Sequence, residues 1–142
     1  MRMSDILELK GINFGDPEDF KKDVIPEIPP GFYVYAWGYK GYIKVGSSRV
    51  NPYYRLKSTL SIKIAKLDGF RYVELRDKES MDLAEEMAQA ALGIYRAWDV
   101  HMTGYIAGKK LYSGKTEVYN NLDLDKAESI IKAAKLTAYR ML

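Results

Sequence analysis

The sequence predicts an α+β domain in which a small three-stranded antiparallel sheet is flanked by helices. Short runs rich in aromatic and β-branched residues are typical of strands, and longer runs whose apolar residues recur every three or four positions are typical of helices. The chain has 142 residues, of which 47% are hydrophobic and 29% are charged. A chain of this length and composition can bury one continuous core.

Three segments are predicted as strands: Phe32 to Trp37, Tyr42 to Val45 and Phe70 to Leu75. The first two are separated by the tight-turn sequence Gly38-Tyr39-Lys40-Gly41. We therefore expect them to form a β-hairpin.

Three segments carry helix signals. Asn51-Pro52 supplies an N-cap followed by proline, which predicts a short helix through about Ser61. A longer helix is expected from about Glu79 to Trp98, with an apolar stripe formed by Met81, Ala84, Ala88, Ala91, Tyr95 and Trp98. Residues 101–116, rich in Gly and Lys, are expected to form a loop or a small hairpin. Asp123 or Asp125 caps a last helix whose buried stripe would be Ala127, Ile130, Ile131, Ala134 and Ala138.

Residues 1–30 form an acidic leader that ends in Ile25-Pro26-Glu27-Ile28-Pro29-Pro30. Its prolines disfavour helix, so we expect an extended segment that packs on the domain formed by residues 31–142. The leader lacks the apolar core of a signal peptide, and no apolar run approaches the roughly 20 residues of a membrane span. These features predict a cytoplasmic protein, or one in the host cytoplasm if the gene is viral. The absence of cysteine excludes disulfides, zinc fingers and cysteine nucleophiles.

Positive charge is concentrated in one part of the chain. Residues 31–76 carry nine Lys and Arg against two acidic residues, a net charge of +7. Residues 1–30 sum to −3, with four basic and seven acidic residues, and residues 77–142 sum to −1, with nine and ten. A local basic region is the footprint expected of a partner with a phosphate backbone, although a solvated lysine-rich surface gives the same pattern.

The hairpin places tyrosine and lysine side chains together. A two-residue turn at Gly38-Tyr39 would pair Tyr33 with Lys44. A four-residue turn through Gly41 would instead pair Tyr35 with Lys44. Because alternate side chains share a face, both registers place the same four side chains on one face: Tyr33, Tyr35, Tyr42 and Lys44. A neighbouring cation would lower a tyrosine pKa from about 10 and favour a general base. The alternative is a structural tyrosine ladder beside a lysine that reaches out to solvent.

Three motifs follow in order along the hairpin and the first helix: Gly31-Phe32-Tyr33, Lys44-Val45-Gly46-Ser47 and Asn51-Pro52-Tyr53-Tyr54-Arg55-Leu56. They resemble the GIY-YIG nuclease superfamily, in particular its phage-type branch, which reads G-x-Y-V, then K-I-G, then N-P-x-x-R-L. Downstream, Gly114 to Tyr119 is similar to a T-E-W-F-like segment of that branch. The resemblance covers about residues 31–121 and implies a GIY-YIG-like fold.

The resemblance implies a metal-dependent endonuclease that hydrolyses phosphodiester bonds in DNA, with Mg²⁺ or Mn²⁺ as cofactor. Tyr33 would be the general base, helped by Lys44, and Tyr35 is a further catalytic candidate on the same face. Arg55 would stabilise charge on the phosphorane, because its planar fork suits a phosphate. The residues expected to contact nucleic acid are Ser47, Arg49, Lys57 and Asn120, with Asn121 as the neighbouring choice for the last.

A carboxylate is also needed to hold the metal. At 100° per residue, the apolar stripe of the long helix is centred opposite Glu86, whereas Glu85 lies at the edge of the stripe. A metal ligand should lie at such a border, within reach of the sheet yet wetted, so we expect Glu85, or Glu86 if the register slips by one. Two solvated carboxylates are the alternative.

This sequence departs from the superfamily pattern in two places, which limits how far the roles of the family's site residues apply to it. Lys44 stands where the second motif tyrosine would be, so a two-tyrosine mechanism does not transfer. The distance from Glu85 to Asn120 implies an insertion around residues 101–114, which contains the only histidine, His101, as a loop residue. The alternative functions are an inactive nucleic-acid-binding module of the same fold and a tyrosine-rich protein-interaction domain. Target selection would come from the insertion within residues 101–116, from a homodimer or from a separate specificity protein.

Overall fold

The computed structural model describes residues 24–142, and the acidic leader up to residue 23 lies outside the described residues. The centre of the fold is an antiparallel sheet of four strands, not three, in the order β3-β1-β2-β6. Its strands are β1 (Phe32–Tyr39), β2 (Tyr42–Ser48), β3 (Gly69–Leu75) and β6 (Val118–Tyr119). Sequence patterning missed β6 because a two-residue strand has no periodicity to detect.

The β1–β2 hairpin turns later than both predicted registers. Its turn residues are Lys40 and Gly41, with φ of 49° and 85°, as a type I′ turn requires. Gly38 remains within β1, paired with Ile43 on one side and Gly69 on the other. Trp37 therefore lies opposite Lys44, so the predicted pairings of Lys44 with Tyr33 or Tyr35 are wrong. The observed register and the two predicted ones place alternate side chains on the same faces of the hairpin. The prediction that Tyr33, Tyr35, Tyr42 and Lys44 share one face is therefore confirmed.

The helices are α1 (Pro52–Thr59), α2 (Lys78–Ala91), α3 (Trp98–Thr103) and α4 (Leu124–Met141). The predicted N-caps are confirmed. The Asn51 side chain accepts a hydrogen bond from the amide of Tyr53 at 3.1 Å, and the Asp123 side chain accepts one from the amide of Lys126 at 2.7 Å. The short helix ends two residues before the predicted Ser61.

The long helix is shorter than predicted and ends at Ala91. Gly93, a poor helix former, follows, and the chain is then drawn to the sheet edge where Arg96 bridges Tyr119. Trp98 consequently lies in α3 and is 60% exposed instead of extending the buried stripe. Within residues 101–116, a hairpin forms from β4 (Tyr105–Ile106) and β5 (Lys109–Lys110), one of the two predicted outcomes.

The two faces of the sheet pack against different elements. One face, through Val34 and Val45 among others, packs on α2 and α4. The other face carries Tyr33, Tyr35 and Trp37, which pack on α1 and the segment from Ala97 to Leu111. This second face includes the aromatic and lysine side chains that the sequence singled out.

The described end of the leader packs on the domain. Ile28 is buried in the core, and the carbonyl oxygen of Pro26 accepts a hydrogen bond from the Asn51 amide at 2.6 Å. The segment thus closes over the start of α1. None of the helices between residues 24 and 142 is long and apolar enough to cross a membrane.

Candidate active site

A polar pocket of about 300 Å³ opens beside β2, at the point where β6 begins. Because β6 pairs with Ile43 and Lys44, the edge of β2 beyond them has no strand partner among residues 24–142. Side chains from both faces of the sheet reach this gap. The lining residues come from β1, β2, α1, α2 and the segment before β6: Tyr35, Lys44, Gly46, Ser47, Arg55, Thr59, Glu85, Ser113, Gly114 and Glu117.

Tyr35 reaches the pocket by crossing over its strand partner Gly46. A Cβ on Gly46 would lie 2.6 Å from the Tyr35 hydroxyl and 3.2 Å from Lys44 Nζ. The glycine of the Lys-Val-Gly motif is therefore needed because a phenol and an ammonium lie above it. Burial raises the pKa of Tyr35, the charge of Arg55 lowers it, and the charges of Glu85 and Glu117 raise it. The phenol accordingly keeps its proton at neutral pH.

Lys44 is nearly enclosed at the base of the pocket. Its side chain is 4% exposed, and Nζ lies 2.8 Å from Oε2 of Glu117 and 3.0 Å from the carbonyl oxygen of Val45. Glu117 is brought there by the loop before β6, where Gly114 has φ of 71° and a Cβ added to it would lie 2.6 Å from Cε of Lys44. An enclosed ammonium of this kind is held by its carboxylate partner.

Glu85 extends from α2 toward the pocket and is half-buried, whereas Glu86 is exposed. Burial raises the pKa of Glu85, and the negative charge of Glu117 raises it further. A hydrogen bond from Ser47 and the charge of Lys44 oppose this shift. The helical phase predicted from sequence is therefore confirmed, because Glu85 lies at the border of the core and Glu86 does not.

Arg55 lies on the exposed side of α1 and lines the pocket. The helix is fixed on the sheet by Tyr53, whose ring stacks on Phe70 with centroids 4.0 Å apart. Such a pair contributes about 0.5–1.5 kcal/mol beyond the burial of its area. Among the charged pairs of residues 24–142, none involves the guanidinium of Arg55. It is thus available to an anion in the pocket.

Five of the residues predicted for the site are brought together in this pocket: Tyr35, Lys44, Ser47, Arg55 and Glu85. Others lie elsewhere. Arg49 is exposed with its guanidinium 5.5 Å from the centre of the Phe32 ring, and Lys57 donates to the carbonyl oxygen of Ile62 at 3.1 Å. The Asn120 side chain accepts from Asn121 at 3.2 Å, outside the pocket.

Tyr33 is also outside the pocket. It lies opposite Ser48, and its hydroxyl donates to the carbonyl oxygen of Pro29 at 2.6 Å. Burial, and then the charge of Glu74, raise the pKa of Tyr33, so the expected lowering by Lys44 is wrong. The register explains this difference, because the late turn places Lys44 opposite Trp37, four residue pairs away from Tyr33 along the hairpin.

Sequence reasoning missed Glu117 as a pocket carboxylate. The signal was present in the segment from Gly114 to Tyr119, which carries the T-E-W-F-like motif. The sequence argument required one metal-binding carboxylate and assigned it to α2. Nothing in the residues around Glu117 shows that this side chain meets Lys44, which is 73 positions away. Thr59 and Ser113 were missed for the same reason, since their hydroxyls meet across 3.5 Å only in the folded chain.

The chain was compared with protein-family models, with curated proteins and with solved structures, and none of the three comparisons found a match. The fold and the pocket therefore carry the functional argument. The class that they define is a small α+β domain with a pocket of mixed charge at a sheet edge.

Proposed function

We propose that this protein is a metal-dependent endonuclease that hydrolyses phosphodiester bonds in DNA at this pocket. The observation that carries the proposal is the composition of one small pocket: a phenol, two cations and two carboxylates. Phosphoryl transfer needs a group to orient water, positive charge for the phosphorane and a ligand for a divalent ion. The likeness of the motifs to the GIY-YIG superfamily supports the same assignment.

Arg55 is the phosphate-binding group in this proposal. It is the pocket cation that has no carboxylate partner among residues 24–142, and its fork can bind two phosphate oxygens at once. Lys44 has the different task of holding Glu117 in place and adding positive potential above Gly46. The two cations therefore do not duplicate each other.

Tyr35, not Tyr33, is the phenol placed to orient or deprotonate the attacking water, because it is the one that lines the pocket. Burial raises its pKa, so the phenol keeps its proton and can donate a hydrogen bond. Two of the causes of that shift are the charges of Glu85 and Glu117. Neutralising these carboxylates would lower the pKa of Tyr35 and bring it closer to use as a base.

Glu85 and Glu117 fit a divalent cation such as Mg²⁺ or Mn²⁺. No group of three or more metal-binding side chains occurs in residues 24–142. Two carboxylates nevertheless suffice for Mg²⁺, which keeps several waters and takes further ligands from substrate phosphates. Burial, and then the charge of Glu117, raise the pKa of Glu85, and a divalent cation bound by both carboxylates would offset their mutual repulsion. When bound, the ion would supply Lewis-acid stabilisation of charge on the phosphate oxygens.

A tyrosine-rich interaction face is less compatible with the packing. Tyr33, Tyr35 and Tyr39 are each no more than 5% exposed and belong to the core beneath α1. Their face of the sheet is consequently not available to a partner protein. The inactive nucleic-acid-binding module remains as the alternative that shares this pocket.

A nicking assay on supercoiled plasmid with Mg²⁺ or Mn²⁺ tests the proposal. The wild-type chain and Glu86→Gln should nick the plasmid, whereas Glu85→Gln should not, because only Glu85 lines the pocket. The two variants are matched, since each removes one charge from adjacent positions of α2. Salt-sensitive DNA binding without nicking by any of the three proteins would instead identify the binding module. Equal nicking by all three would remove Glu85 from the site.

A further inference from the structure

A second groove, of about 560 Å³, opens at the turn end of the hairpin. Lysine supplies half of its lining residues. The lining residues in the described part of the chain are Tyr39, Lys40, Ser61, Ile62, Lys63, Lys66, Asp68 and Lys109. Three of these lysines, Lys40, Lys63 and Lys66, are among the nine basic residues of the +7 segment. Part of the positive charge of that segment therefore lies at this groove.

The four lysines are exposed and have no carboxylate partner among residues 24–142. Among residues 24–142, the acidic residue that lines the groove is Asp68, and its carboxylate accepts a hydrogen bond from the amide of Gly41 at 3.0 Å. Four ammonium groups around one concave surface repel one another and attract counterions. Displacement of those counterions favours the binding of a polyanion.

The backbone that carries these lysines is firmly held. Lys63 and Lys66 flank one short 3₁₀ turn, closed by a hydrogen bond of 2.9 Å from the amide of Lys66 to the carbonyl oxygen of Lys63. Lys40 lies in the type I′ turn, and Lys109 begins β5. The floor between them is made by the buried residues Tyr39 and Ile62. The positive charges therefore have a defined arrangement and are not a loose surface tail.

The groove and the candidate active-site pocket are lined by neighbouring residues of one seam. The amide of Tyr112 donates to the carbonyl oxygen of Thr59 at 2.8 Å, which joins the end of α1 to the segment after β5. Thr59 and Ser113 on this seam line the pocket, whereas Ser61 and Lys109 line the groove. The four Cα-to-Cα steps from Thr59 to Lys63 span at most about 14 Å even when fully extended. At about 3.4 Å per nucleotide along duplex DNA, this corresponds to about four nucleotides.

We propose that this lysine groove binds the sugar-phosphate backbone of duplex DNA a few nucleotides to one side of the bond that is cut. The inference rests on the proposed function, because it names the substrate contact that continues from the same site. A row of lysines over an open groove suits successive phosphates. It offers no bidentate arginine and no buried polar group for enclosing a single small anion. Such contacts set register on the duplex without reading its sequence.

Fluorescence anisotropy of a labelled 30-base-pair duplex over a salt series, in EDTA so that no cleavage occurs, tests the groove. The triple variant Lys63→Gln, Lys66→Gln and Lys109→Gln should make the slope of log K against log salt shallower by about 2 to 3, at about 0.9 per phosphate contact. The matched control is Lys78→Gln, Lys126→Gln and Lys135→Gln, which removes the same charge from α2 and α4. The control should keep the wild-type slope within about one unit.

Several outcomes would overturn the proposal that the lysine groove binds duplex DNA. These are equal slope changes in the two triple variants, an unchanged slope in the groove variant, or a loss confined to an RNA duplex of the same length. Plasmid nicking at saturating DNA separates this failure from failure of the nuclease. If the groove does not bind DNA but the protein is a nuclease, the groove variant still nicks the plasmid and its salt slope equals that of the wild type. If the nuclease assignment is wrong, no nicking occurs even though the groove variant still shows the shallower slope.

Discussion

The hydroxyl of Tyr35 lies directly above Gly46, at a place where a side chain on residue 46 would collide with it. A Cβ there would be 2.6 Å from the hydroxyl oxygen and 2.8 Å from the ring carbon that bears it. The two residues are strand partners in β1 and β2, so neither can move away without breaking the hairpin. This contact makes the pocket sensitive to one methyl group.

Gly46→Ala should reduce cleavage by about 100-fold, because a displacement of about 1 Å at the reacting groups costs that much. It should also lower the free energy of unfolding by about 1–3 kcal/mol, the usual effect of overpacking. Gly93→Ala is the control, since nothing lies within 4 Å of its added Cβ. Single-turnover cleavage and urea unfolding of both variants measure these effects. Wild-type cleavage by Gly46→Ala would mean that Tyr35 does not act from this position.

Tyr35→Phe should lower cleavage by about 10²- to 10⁴-fold, the usual range for loss of a group that transfers a proton. Tyr33→Phe should leave cleavage nearly unchanged and reduce stability by about 1 kcal/mol, because it loses one hydrogen bond to Pro29. The two variants remove the same atom from positions two apart on one strand. If Tyr33→Phe is the inactive one, the register of the site differs from the one described.

Glu85→Gln should raise the melting temperature at neutral pH in the absence of divalent metal. The pKa of Glu85 is raised in the folded chain, so its ionised form is disfavoured there relative to the unfolded chain. Its ionisation therefore costs stability above that pKa. The cost shrinks as the pH falls below it and is gone below the ordinary pKa of an unfolded-chain glutamate. The advantage of the variant should shrink accordingly under acidic conditions.

Added Mg²⁺ or Mn²⁺ should raise the melting temperature of the wild-type chain, because a ligand that binds only the folded state stabilises it. The same ions should have little effect on Glu85→Gln. Differential scanning fluorimetry over pH, with and without metal, gives both readings. A variant less stable than wild type without metal would show that the Glu85 charge is favourable in the pocket.

Arg55→Met should move the alkaline rise of the cleavage rate to higher pH. The positive charge of Arg55 lowers the pKa of Tyr35, so its removal raises that pKa and delays loss of the phenolic proton. Lys57→Met on the same helix removes an equal charge outside the pocket and should leave the pH profile unmoved. Profiles are taken under single-turnover conditions at saturating DNA, which separates proton transfer from binding. An unshifted profile for Arg55→Met would end the proposal that Tyr35 acts as the base.

Parts of this architecture followed from local sequence signals. The caps at Asn51 and Asp123 and the position of Glu85 at the border of α2 depend on short spacings along one helix. The shared face of the hairpin also survived an incorrect turn, because every register considered preserved the alternation of side chains.

Other parts required long-range contacts. The position of the hairpin turn decided whether Tyr33 or Tyr35 reaches the pocket, and β3 influenced it by keeping Gly38 within the sheet. Glu117 is identified as a pocket carboxylate only by the folded structure, in which it forms an ion pair with Lys44 at 2.8 Å. Neither feature leaves a periodic trace in the chain.

The sequence by itself determined the α+β class, the basic hairpin region and most of the chemical groups of the site, because these depend on composition and local spacing. Tertiary structure alone decided the fourth strand, the choice of tyrosine and the second carboxylate. It also gathered Lys40, Lys63, Lys66 and Lys109 into one groove. The physical reason is that pairing register and the meeting of distant segments depend on packing across the whole sheet, which no short stretch of residues encodes.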